Sequence, residues 1–573
     1  MSTKLELAQT NFINQNLSAD TITGEFVGAK DLQNGVISFK GIPYANAPVG
    51  ELRWQPPQAL APSDEKFTAL EFGDMALQNL NEKDLAHGLS TSEDALKLNI
   101  YTSDINTPNK PVMFYIHEGV YSWGGAPAPL HDGKFIVENN PDIIVVTTNY
   151  RLNTLGFADL KQVPGYDERY KDAQYLGLLD DIAALKWVKE NIASFGGDPN
   201  NITIFGESAG GTSVSALLAS PITTGLFNRA IVQSGALNLT NSQASFDSLN
   251  QIGALMSVTG AQNMNDLLSL SEEQILQAWQ SEVLNSRSDT LTPLKNLNAF
   301  PLRGDGSIIP QDPYAALQSG VNKDVDLLIG TTSDELRVII SGIDGIVDNT
   351  ALSLAVFNEI VKNKATTFAS NISPENQHYL NEYFDVLDVK DDVYSQMFPN
   401  MWKNAELIND LYFRMPTLKE ALAHANAGGK TYMYNFGKVS QKSPWLGASH
   451  TSDLNYTFYN LDETTNYIAD LDEFVGKIDE NLAKKMVTMW ANFARNGDPS
   501  LPDFTWVPFD ATNQATMVVD ANGNLSMQNH FKAAQNELLN KTGLKYDYMD
   551  TLSNDFAADM ALLGMTDAES LLL

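Results

Sequence analysis

Short apolar runs alternate with longer amphipathic segments through most of the chain, which predicts a largely parallel sheet covered by helices. The runs that read as strands are 112–117, 143–149, 202–205, 230–233, 325–330 and 432–436. Between the second and third, residues 178–191 place Leu178, Ile182, Leu185, Trp187 and Val188 close to helical spacing, enough to cover one face of the sheet. A strand–helix–strand unit thus leads directly to residue 208. From about 347 to 420 the pattern is helical and rich in Asn, Lys and Asp, predicting a helical insertion that caps the sheet. A late helix repeats Ile478, Leu482, Met486, Trp490 and Phe493, then stops at Asn496-Gly497-Asp498-Pro499. The acidic tail, about 550–573, ends in three leucines and is expected to fray. No linker separates these pieces.

Length leaves the domain count open, since 573 residues suit several domains or one large core with insertions. Hydrophobic residues at 43% supply ample core material. The net charge of −33 repels nucleic acid and anionic membranes, so neither is an expected partner. The acid is spread along the chain and reads as solvated surface. Absence of cysteine excludes disulfides and thiol catalysis. The first 25 residues carry no signal-peptide pattern, and no uncharged apolar run reaches membrane-spanning length. A bacterial cytoplasmic protein is the expectation. The seven histidines make no H-x-x-x-H or H-E-x-x-H spacing, and no G-x-G-x-x-G loop occurs, so neither metal nor organic cofactor is expected.

The chemistry centres on Gly206-Glu207-Ser208-Ala209-Gly210, which follows the strand-like 202–205 and opens a helix-like run. Strand, tight turn and helix around one serine make a nucleophile elbow, with glycines where side chains would collide. The helix N-terminus aims free N–H groups at developing negative charge. Such a serine needs a histidine base and a carboxylate, in the chain order Ser, acid, His. Leu327–Thr332 leads into a turn carrying Asp334 and Glu335, either of which suits the acid. Of the histidines that follow, His450 lies in a small-residue loop after a core strand, whereas His378 and His424 fall in helix-like polar surroundings. The strand and loop from Val112 to Tyr121 supply the remaining element, donors for an oxyanion hole.

Together these residues resemble the type-B carboxylesterase family, which includes cholinesterases and bacterial para-nitrobenzyl esterases. Phe39-Lys40-Gly41-Ile42-Pro43-Tyr44-Ala45, Leu52-Arg53-Trp54 and Glu93-Asp94-Ala95-Leu96 look like its opening signatures. Asn149-Tyr150-Arg151-Leu152, Phe195-Gly196-Gly197-Asp198-Pro199 and Phe493-Ala494-Arg495-Asn496-Gly497-Asp498-Pro499 follow in the expected order, so the resemblance spans about 20 to 510. It implies an α/β-hydrolase fold, one catalytic domain, and a serine carboxylesterase acting on a small-molecule ester without cofactors. By resemblance, Ser208 is the nucleophile, Glu335 the acid and His450 the base, with Asp334 the competing acid. The amides of Gly119, Val120 and Ala209 would form the oxyanion hole, and Ser234 and Asp453 would support the triad. Carbamates, amides or phenolic esters are alternative substrates for the same machinery, and a non-catalytic adhesion homologue is the remote alternative.

Where the family has H-G-G-G or H-G-G-A, this chain has His117-Glu118-Gly119-Val120. Val120 is expected to reshape the acyl pocket, because β-branching narrows the backbone angles and adds bulk. Glu118 either turns from the reaction and bonds to neighbouring backbone, or lies in the gorge and favours amine-bearing substrates. Ala95 replaces the usual cysteine, and Tyr175 and Asp181 replace the usual Asn and Gln.

Overall fold

A computed structural model describes residues 12–13, 17–237, 243–281, 302, 304, 306–338, 340, 350–387, 398, 400–440, 442–461 and 477–544. The main sheet has twelve strands: β1 (Phe12–Ile13), β2 (Ala29–Asp31), β3 (Ile37–Pro43), β4 (Lys97–Thr102), β5 (Lys110–Ile116), β6 (Ile144–Thr148), β7 (Gly197–Glu207), β8 (Arg229–Gln233), β9 (Asp326–Thr332), β10 (Thr431–Phe436), β11 (Thr516–Val519) and β12 (Leu525–Gln528). Their order across the sheet is β1-β2-β3-β4-β6-β5-β7-β8-β9-β10-β11-β12. Every pairing from β6 to β11 is parallel. The flanking strands are antiparallel. All six strands predicted from the apolar runs are present, with ends shifted by a few residues.

Side chains alternate across the sheet, so its two faces build separate cores. Val112, Phe114 and Ile116 of β5 join one core, with Leu178, Ile182, Leu185 and Val188 of α1 (Leu176–Asn191) and Val214, Leu217 and Leu218 of α2 (Ala209–Ala219). Met113 and Tyr115 join the other. That core contains Leu482, Met486, Trp490 and Phe493 of the late helix, Glu480–Asn496, whose left-handed C-cap is Gly497. Burying each such large apolar side chain stabilises the fold by about 1.5–3 kcal/mol. With helices on both faces, the central strands read as nearly continuous apolar runs.

The predicted insertion is helical where described: α3 (Thr350–Ser370), α4 (Gln377–Asp385), α5 (Met401–Asn409) and α6 (Met415–Asn426). The last of these helices, α6, runs past 420 to Asn426. A π-helical turn, Asp410–Arg414, joins α5 to α6 and is held by the buried Asp410–Arg414 ion pair. Residues 341–349, 388–397 and the tail beyond 544 lie outside the described residues. Among the described residues, no helix is long and apolar enough to cross a membrane.

Candidate active site

Strand β7 ends at Glu207, and Ser208 turns the chain with φ 53° and ψ −121° before α2 begins at Ala209. Such left-handed backbone is strained for a non-glycine residue. Its neighbours hold it: the Ser208 amide donates to Gln233 O at 2.9 Å, and Ser208 O accepts the Thr212 amide at 2.8 Å. A Cβ on Gly210 would lie 2.0 Å from Ile116 O, and one on Gly206 would lie 2.5 Å from the Gly210 carbonyl carbon. Both glycines are therefore required by close backbone approach, and the elbow sits against the end of β5.

Glu335 and His450 meet across 115 residues of sequence. Glu335 Oε2 lies 2.5 Å from His450 Nδ1, and the His450 amide donates to Glu335 O at 3.2 Å. The carboxylate is fully buried, with its other oxygen accepting the Thr332 amide at 2.8 Å. Asp334, the competing acid, points elsewhere: it pairs with Arg337 at 2.6 Å and accepts the Ala448 amide at 3.0 Å. Its task is to hold the loop that carries His450. The capping insertion also reaches this point, since Phe413 of the π-turn lies 5.4 Å from the His450 ring.

On the Nε2 side, His450 meets a residue that carried no separate role in the sequence: Glu207 Oε1 is 3.3 Å away. Burial, reinforced by the nearby carboxylates of Glu118, Asp453 and Glu335, pushes the Glu207 carboxyl well above its usual range. A carboxylate in the apolar end of β7, next to the nucleophile, was the available signal. Asp453 is buried too, accepting hydrogen bonds from Tyr434 Oη at 2.8 Å and Gln233 Nε2 at 3.0 Å. Burial raises its carboxyl to about 6. Ser234 follows β8 with φ 50° and is buried, its amide donating to Gly330 O at 2.9 Å.

The loop after β5 holds the candidate oxyanion donors. Among the described residues, the Gly119 and Val120 amides meet no protein acceptor, and Ala209 is the first residue of α2. Gly119 has φ 107°, and a Cβ there would fall 1.9 Å from Trp123 O. Val120 (φ 48°) and Tyr121 (φ 58°) are also left-handed, an unusual conformation for a β-branched side chain. Tyr121 Oη donates to Ala209 O at 2.8 Å, tying the loop to the nucleophile helix. Tyr150 Oη donates to His117 O at 2.8 Å, and the Tyr150 ring stacks on His117 at 4.3 Å. Burial lowers the His117 imidazole to about 4, and its Nδ1 donates to Glu118 O at 2.7 Å.

Glu118 turns inward, to buried side chains as well as to its own backbone amide. Only 1% exposed, it accepts from Tyr115 Oη at 2.7 Å and lies 2.9 Å from His131 Nε2. That geometry overturns the gorge-facing alternative for amine-bearing substrates. His424 departs from expectation as well: it is buried, and burial lowers its imidazole to about 4. Asp181 is buried with both carboxyl oxygens lacking a protein hydrogen-bond partner among the described residues, and burial followed by Asp180 raises it far above its usual range.

A parallel sheet with helices on both faces and a serine on a strand–turn–helix elbow defines an α/β-hydrolase. The chain belongs to the carboxylesterase family, whose model matches residues 13–539. It is 32% identical over 499 residues to the para-nitrobenzyl esterase of Bacillus subtilis (strain 168), covering 85% of this chain and 92% of that one. The rat (Rattus norvegicus) pyrethroid hydrolase Ces2e is 31% identical, with 86% and 84% covered. Among solved structures, the carboxylesterase EST55 of Geobacillus stearothermophilus superposes with a TM-score of 0.70 at 32% identity, covering 90% of this chain and 99% of that one. A thermophilic para-nitrobenzyl esterase gives 0.71 at 28%, covering 92% and 100%. The protein is thus a carboxylic ester hydrolase, with small-molecule esters as its substrate class.

Proposed function

We propose that Ser208 is the nucleophile, His450 its general base and Glu335 the carboxylate that orients the imidazole. The observation that carries this is the 2.5 Å contact between Glu335 and His450 Nδ1, which turns Nε2 toward the end of β7, where Glu207 lies 3.3 Å away and Ser208 follows. Ser208 Oγ attacks the ester carbonyl as His450 removes its proton; the oxyanion collapses, and His450 returns the proton to the departing alcohol. Water, deprotonated by His450, then attacks the acyl-enzyme, and the intermediate collapses to release the acid as His450 returns the proton to Ser208 Oγ. The amides of Gly119, Val120 and Ala209 stabilise the oxyanion, each lost donor costing about two to three decades in rate.

One catalytic domain is the reading favoured by a family match from 13 to 539. Simple carboxylic esters are the proposed substrates; carbamates, amides and phenolic esters would use the same steps. A bacterial cytoplasmic setting is consistent with a chain that has no cysteine to oxidise. The test is labelling with a fluorophosphonate followed by peptide mapping. An adduct at Ser208 and hydrolysis across a panel of short, long and aromatic esters are expected; no adduct at Ser208 would refute the assignment.

A further inference from the structure

We propose that Glu118 and His131 form a buried clamp that holds the oxyanion loop in its strained shape, making both of them positioning residues for ester hydrolysis. The proposal rests on the assignment of Ser208 and of the Gly119 and Val120 amides above. Glu118 begins the loop and Gly125 ends it. His131 joins the two, with Nε2 2.9 Å from Glu118 Oε1 and Nδ1 3.1 Å from Gly125 O. A carbonyl oxygen only accepts, so Nδ1 carries a proton, and Nε2 is turned toward the Glu118 carboxyl. Tyr115 Oη occupies the other oxygen of Glu118 at 2.7 Å, fixing the carboxylate against β5. Both members of the pair are buried, and the His131 ring lies 4.9 Å from Tyr115 and 6.0 Å from Phe458.

The loop needs such a constraint. Gly119, Val120, Tyr121 and Gly124 all have positive φ, and two of these are not glycine. Backbone of this kind persists only where its surroundings over-determine it. The Glu118–His131–Gly125 bridge closes the loop at both ends, while Gln78 pins Gly124 through two 2.8 Å bonds. Burial opposes ionisation of Glu118, but the adjacent His131 outweighs it and holds the carboxyl down to about 2. A side chain that would disturb an oxyanion if it faced the serine is thereby neutralised and used as a strut.

The test compares the parent with Glu118→Gln, His131→Gln and the double variant, each counted per active site by fluorophosphonate titration. We expect kcat to fall by about ten- to a hundredfold in each single variant, with KM for a neutral ester within about threefold. Affinity for a trifluoromethyl ketone, whose serine adduct carries an oxyanion, should fall in step with kcat. The double variant should be no worse than the singles, since the two residues act as one unit. A core pair of merely structural value would lower Tm and leave kcat and ketone affinity within twofold, and that result would overturn the proposal. Amide hydrogen exchange at 119–121 gives a readout independent of catalysis. Faster exchange in either single variant supports the clamp even if the parent takes no label at Ser208, an outcome that would count against the nucleophile alone; unchanged exchange overturns the clamp.

Discussion

The two halves of the site are built by different means. In the proposed acid–base half, Ser208 follows β7 directly and Glu335 follows β9 closely, while His450 comes from the longer loop after β10. Glu335 reaches His450 with no intermediary. In the proposed oxyanion half, the candidate donors are amides of a strained loop that Tyr121, Tyr150, Gln78 and the Glu118–His131 pair contact. The first half is specified by strand ends and motif residues. The second is specified by side chains underneath it, so it admits residues that its local sequence makes look unfavourable.

Substitutions should separate the halves by size of effect. The largest falls on the acid–base half: Ser208→Ala or His450→Ala is expected to lower kcat by about five to six decades, the residue of activity coming from the oxyanion hole. Glu335→Gln should cost about four decades. Asp334→Asn should cost less than about tenfold in kcat while lowering Tm, because Asp334 braces Arg337 and the Ala448 amide. Equal losses for the two acids would break the assignment. In the oxyanion half, Gly119→Ala places a Cβ 1.9 Å from Trp123 O. It should lower kcat by about two to three decades, as expected for a displaced donor.

Smaller effects sharpen the contrast. Val120 is half-buried against the core cluster that contains Tyr115, Trp123 and Phe458. Trimming it to Ala should raise kcat/KM for bulky acyl groups over acetyl by roughly tenfold, measured on matched esters; an unchanged ratio would place the acyl pocket elsewhere. Glu420 serves as a control outside both halves. It accepts the Leu237 amide at 2.9 Å, and burial raises its carboxyl from 4.5 to about 7. The folded state therefore binds this proton more tightly than the unfolded state. Its contribution is complete below about pH 4.5 and is lost as pH rises through about 7. Tm of Glu420→Gln should fall less than that of the parent between pH 5 and 8, with kcat per active site unchanged.

Much of the fold was legible because a strand buried on both faces is nearly continuously apolar, as Val112–Ile116 is and as Ile202–Phe205 is apart from Thr203. The elbow was legible for a similar reason, since close backbone approach at Gly206 and Gly210 restricts those positions to glycine. The choice between Asp334 and Glu335 is different. Adjacent carboxylates on one turn are equivalent by local pattern, and only the placement of Ala448 and Arg337 assigns one to the loop and the other to His450. Glu207 at His450 Nε2 and Phe413 over the imidazole ring likewise depend on which elements meet.

The sequence alone determined the sheet, the family's motifs and the residue types of the acid–base chemistry, because periodicity and short-range turn geometry are local properties of the chain. Tertiary structure decided the fate of Glu118. Beside a forming oxyanion a carboxylate is repulsive, yet 2.9 Å from a buried imidazole it becomes part of the scaffold. Nothing near Glu118 in the sequence names His131 as that partner. Charge is read from composition, but its effect depends on distance and burial, and those exist only once the chain has folded.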